Sequence, residues 1–138
     1  MTGRLALAML LLVAGCSATA EHMLEPSAVT VAPSTWPTPE VAPPQAPPRI
    51  LALWMNDTEL RPGHRWFGKI VTSTNVGSVE IRTESFSFNA ERKAFGVFEF
   101  AQDVLDIVPQ YRRPYVLHVI ARNTAGVMDE RSIPIVIR

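Results

Sequence analysis

Cysteine is nearly absent from this chain of 138 residues: Cys16 stands alone, so no internal disulfide forms and the folded part is held by its apolar core. An excess of charge of either sign is absent as well. The 13 basic side chains balance 13 acidic ones, which removes the electrostatic case for nucleic acid. No cluster of Lys and Arg beside an apolar stretch is there to grip anionic lipid. Long hydrophobic runs are missing too. Residues 5–14 supply ten apolar positions before Cys16, Ser17 and Thr19 intervene, about half of what a membrane-spanning helix needs. Zinc has no Cys or His cluster to use, and helical periodicity is hard to find beyond residue 48.

What is present at the start is an export signal. Arg4 supplies a positive charge, residues 5–13 an apolar core, and Ala14 and Gly15 the small residues a peptidase accommodates. The order Val13-Ala14-Gly15-Cys16 resembles the lipobox of bacterial lipoproteins; a plain secretory signal with a chance cysteine is the alternative. The resemblance implies cleavage between Gly15 and Cys16, loss of residues 1–15, a diacylglycerol on the Cys16 thiol and an acyl group on the new amino terminus. Attachment to the membrane then rests on the acyl chains, at about 0.8 kcal/mol per buried methylene. Ser17 stands where an Asp would resemble an inner-membrane retention signal, so the resemblance implies the outer membrane in an organism that has one.

From residue 17 to 48 the composition changes. Pro26, Pro33, Pro37, Pro39, Pro43, Pro44, Pro47 and Pro48 alternate with Ser, Thr, Ala, Glu and Gln, which removes backbone donors and leaves few side chains for a core. Residues 16–48 are expected to form a lipidated start and a disordered linker, whose polyproline II geometry could hold a domain on the order of 70 Å from the membrane. Trp36 and the PxxP match at Pro44 to Pro47 are patterns that any Pro-rich tether produces by chance.

Residues 49–138 are enough for one domain and read as all-β. Short β-branched and aromatic runs are separated by turn residues. Trp66, Gly68 and Ile70 alternate with Phe67 and Lys69; Val79 and Ile81 alternate with Glu80 and Arg82; Phe98 and Phe100 share a face. Tyr115, Leu117, Val119 and Ala121 take one side of the strongest run, and Val116, His118, Ile120 and Arg122 the other. Residues 102–113, bounded by prolines, read as a corner crossing between sheets. Residues 133–137 form a last strand with Pro134 inside it, which places that strand at an edge or a bulge.

Trp66-x-Gly68-x-Ile70-x-Thr72-Ser73, Val79-Glu80-Ile81-Arg82 and Tyr115-x-Leu117-x-Val119-x-Ala121-Arg122-Asn123-x-Ala125-Gly126 together resemble the bacterial immunoglobulin-like domains of cell-envelope proteins. The resemblance implies an antiparallel β-sandwich of about seven strands, with these runs as strands B, C and F. Tyr115 occupies the place of the tyrosine corner, and Leu117 the place that is cysteine in antibody domains. The core expected is Trp66, Ile70, Val79, Ile81, Tyr115, Leu117, Val119 and Ala121.

Residues able to do chemistry are few. His64 and His118 read as surface histidines. Ser132, Asp129 and Glu130 lack a glycine-rich elbow or an evident histidine partner, and Asp103 and Asp106 lack a visible cleft. Asn56, Asp57, Asp129 and Glu130 would suit calcium only if one pole of the sandwich gathered them. No metal or cofactor beyond the Cys16 lipid is expected. Two binding surfaces stand out: Val116, His118 and Ile120 as an apolar patch for a protein partner, unless the corner at residues 102–109 or a neighbouring strand covers it, and Trp54 and Trp66 as a stacking platform for a cell-wall or surface glycan, unless both are core. The reading is a non-catalytic lipoprotein of the cell envelope that binds or organises, with a glycan-binding module as the alternative and an enzyme a distant third.

Overall fold

The computed structural model describes residues 23–106 and 108–138; Gly15 and Cys16 lie outside them. Among the described residues nine strands follow a short helix α1 (Pro26–Thr30): β1 (Ile50–Met55), β2 (Glu59–Leu60), β3 (Arg65–Thr72), β4 (Val76–Arg82), β5 (Ser87–Asn89), β6 (Glu91–Ala94), β7 (Val97–Asp103), β8 (Pro114–Asn123) and β9 (Met128–Ile137). They form two sheets, ordered β1-β3-β7-β6 and β2-β9-β8-β4-β5. All pairings between strands are antiparallel except β2 on β9. This is an immunoglobulin-like sandwich, with β3, β4 and β8 in the places of strands B, C and F.

Alternation sets which face each strand buries. Trp66, Ile70, Val79, Ile81, Tyr115, Leu117, Val119 and Ala121 all point between the sheets and are at most 4% exposed. Each large apolar side chain so buried contributes about 1.5–3 kcal/mol. Gly68 is required where it stands: a Cβ there would lie 2.4 Å from the Trp54 carbonyl oxygen and 2.5 Å from the Phe100 ring. The corner between the sheets runs through a 3₁₀ turn at Pro109–Tyr111, and the Tyr115 hydroxyl donates to the Tyr111 carbonyl at 2.9 Å, the bond that defines a tyrosine corner.

The two strands beyond the seven expected are short. β6 is exposed at all four residues and mostly charged, so it shows no alternation; charge on such an edge discourages pairing with another chain. The last strand, expected at an edge, is instead flanked on both sides. β8 pairs along one side, and on the other β2 pairs at Val136 and Ile137 while Met23 bridges Ser132. Pro134 shares the outward phase of Val136, whose N–H donates to the Thr58 carbonyl, so its missing donor falls between those two contacts.

Residues 23–48 depart from the free spacer their composition suggests. Leu24 N–H donates to Ser132, Val29 is 1% exposed within the core, and Thr74 N–H donates to the Glu40 carbonyl at 2.8 Å. The Ala46 carbonyl accepts from the side chains of Asn75 at 2.6 Å and Asn123 at 3.0 Å. Proline removes donors from a segment but leaves carbonyl acceptors, and here the sandwich supplies the donors. Pro39 sits against Gly96, whose φ of +74° and lack of a side chain make the space. The segment is a strap laid on the domain.

Candidate functional site

The outer face of the β1-β3-β7-β6 sheet carries a broad surface depression. Register places Trp54, Lys69, Glu99 and Glu91 in one row across the four strands, with Phe67 opposite Ala101 in the next. The strap crosses this face and contributes Ala32 and Trp36. An open groove of about 690 Å³ results, within the range of roughly 300–1,000 Å³ common to small-ligand sites. Lys69 Nζ lies 4.6 Å from the centre of the Trp36 ring, a cation–π contact. Trp54 meets Phe67 edge-on at 5.7 Å, and its indole N–H donates to the Thr30 carbonyl at 3.3 Å. Phe67 is 40% exposed.

Charges around the groove are paired with near neighbours. Lys93 contacts Glu91 at 2.9 Å and Arg65 contacts Asp103 at 3.2 Å, while Lys69 and Glu99 face each other in register. Three cations, Arg65, Lys69 and Lys93, thus stand among Glu91, Glu99 and Asp103, and the site has acceptors and donors but no strong field of one sign.

Trp66 does not join Trp54 on this face. It is core, 3% exposed, packed against Phe86, Phe88 and Phe100, with its N–H donated to the Asp57 carbonyl. The two tryptophans occupy opposite faces of the same sheet, so they form no common platform. Trp36, read from composition as a chance residue of a tether, is the partner Trp54 has instead.

The patch expected at Val116, His118 and Ile120 is not continuous. Val116 is 40% exposed, but Ile120 is 0% exposed. It lies in register between Glu80 and Glu130. Their carboxylates engage Arg122 at 2.7 Å and His118, so charged side chains flank the isoleucine on both neighbouring strands. Glu80 also accepts from the Ser87 hydroxyl at 2.7 Å; that bond and the one from Arg122 hold its carboxyl below the usual range.

Pairing of β8 with β9 also gives Ser132 and Glu130 the histidine partner that was not evident from the sequence. Glu130 Oε1 lies 2.5 Å and Ser132 Oγ 3.1 Å from the same His118 nitrogen, Nδ1. A nucleophile relay needs the acid on one ring nitrogen and the hydroxyl on the other, and Ser132 is fully buried. The cluster ties two strands together. His64 is exposed in its turn, and Asp103 and Asp106 each pair with a separate arginine, Arg65 and Arg112.

The oxygen ligands that calcium would need are not gathered at one pole. Asp129 accepts from the Ile50 N–H at the start of β1, whereas Asn56 and Asp57 follow its end, roughly 20 Å away along the strand. Among the described residues no group of three or more His, Cys, Asp or Glu could hold a metal ion.

No family model matches the chain, and no curated protein matches it. Among solved structures it is similar to the fibronectin(III)-like modules of Clostridium thermocellum CbhA, at 15% identity and a TM-score of 0.38 over 61% of this chain and 93% of that one.

Proposed function

We propose that the protein is a lipid-anchored module of the bacterial cell envelope that binds a ligand in the groove beneath its own strap and performs no chemistry on it. The observation that carries this reading is the convergence of Trp36, Trp54 and Phe67, from the strap and two strands, on one open groove rimmed by paired charges. Aromatic side chains supply large contact area at low entropic cost, and polar groups around them fix orientation.

The lipobox resemblance at Cys16 supplies the location. Met23 is already bridged to Ser132, so only the chain from 16 to 23 separates lipid from sandwich. Seven residues span at most about 25 Å, well short of the roughly 70 Å that a free Pro-rich spacer would give. The groove is thereby held close to the membrane surface and to whatever lies there.

Fractionation of cells expressing the full chain and its Cys16→Ala variant tests the anchor. The parent is expected in the membrane fraction after a high-salt wash, with an acylated amino-terminal peptide by mass spectrometry. Cys16→Ala is expected in the soluble fraction with an unchanged melt. Salt-resistant membrane retention of the variant would overturn the acyl anchor.

A further inference from the structure

Resting on that reading of the groove, we infer that its ligand is an uncharged or nearly uncharged glycan chain, held against Trp36 and Trp54 with Lys69 and Glu99 contacting hydroxyls. Three features of the site select this class.

The first is polarity. Sugar hydroxyls both donate and accept, and the groove offers both functions side by side: the Lys69 ammonium donates and the Glu99 carboxylate accepts, from residues in register on adjacent strands. Apolar faces of sugar rings are matched by the aromatic side chains beside them. A wholly apolar ligand would leave the charged row without partners when it excluded water.

The second is charge. Arg65 and Lys93 are each engaged by a carboxylate, and Lys69 faces Glu99. With the charges so matched, the site lacks the one-signed field that concentrates a polyanion or a polycation.

The third is backbone accounting. An extended peptide can dock on a sandwich by adding a strand at a sheet edge, where main-chain hydrogen bonds give the affinity. β3 and β7, the floor of the groove, are each paired on both sides, and the edge strand β6, which lines it through Glu91 and Lys93, carries charges that discourage strand addition. Side chains alone face the ligand, which suits a polyhydroxyl chain that brings its own hydrogen-bonding groups.

Titration calorimetry on the full chain carrying Cys16→Ala, with β-1,4-linked oligosaccharides of glucose and of N-acetylglucosamine in order of increasing length, tests the inference. A parallel sedimentation assay uses insoluble glycan from the host envelope. Binding to one of these, strengthening with chain length and shifting the Trp36 and Trp54 indole resonances, is expected. Trp36→Ala should weaken it about tenfold with an unchanged melt, and Trp36→Phe should recover part of the loss. Lys69→Met should weaken binding without altering the indole spectrum of Trp54. Absence of binding to every oligosaccharide and to the envelope glycan would overturn the inference, as would binding indifferent to both Trp36→Ala and Lys69→Met. If glycans fail but a protein crosslinks in the groove, the ligand class is wrong and the binding module stands; if neither engages it, the module reading falls as well.

Discussion

Single residues decide how much this sandwich tolerates. Leu117 is fully buried at the centre of β8, so Leu117→Ala should leave a cavity and cost about 2–5 kcal/mol, a fall of about 10 °C or more in the melting temperature of a domain this size. Gly68→Ala should also destabilise, because the backbone carbonyl of Trp54 stands where the methyl would go and overpacking typically costs about 1–3 kcal/mol. Glu80 gives the fold a pH dependence whose sign is fixed. The Ser87 and Arg122 hydrogen bonds place its folded pKa below its unfolded value, so its contribution is fully present above about pH 4.3. That contribution is lost as pH falls through the folded value. Thermal melts recorded from pH 7 downward should therefore decline below that point, and Glu80→Gln should melt lower at pH 7 but decline less steeply in acid. Equal acid slopes for the two proteins would contradict the assignment.

At the scale of elements, the strands with one wet and one dry face were legible, because alternation is what a half-buried strand imposes on a sequence. β3, β4 and β8 are of this kind, and Tyr115 marks the corner by its place at the start of β8. β6 was not legible, since a strand exposed on both faces carries no period. Nor was the cover over Ile120, because alternation tells which face a side chain takes and not what lies above it. The strap was hidden for another reason. Composition averages over residues, whereas its docking depends on a few of them: Val29 in the core, the Ala46 carbonyl between two asparagines, and Pro39 on Gly96. Limited proteolysis checks this directly. Cleavage within residues 31–48 should be slow and should track global unfolding, and Gly96→Ala, which crowds Pro39 and strains a positive φ, should accelerate it. Rapid cleavage of the unaltered chain with the sandwich intact would show that the strap is undocked in solution.

For the whole molecule, the strap changes what the Pro-rich region is for. A free spacer would leave the sandwich on a loose tether; the docked strap packs against it and contributes Ala32 and Trp36 to the groove. The site was only half visible in the sequence. Alternation marks Trp54 but not its partner: Trp66 lies on the opposite face of the sheet, and Trp36 comes from a segment with no period to read. The most direct test places a photo-reactive amino acid at Ala101, on the exposed groove floor opposite Phe67, and at Val116 on the other sheet, in the full chain expressed in living cells. An envelope component captured from position 101, lost with Trp36→Ala and absent from position 116, is the expected result. Capture from position 116 with none from 101 would contradict the groove as the working surface of this protein.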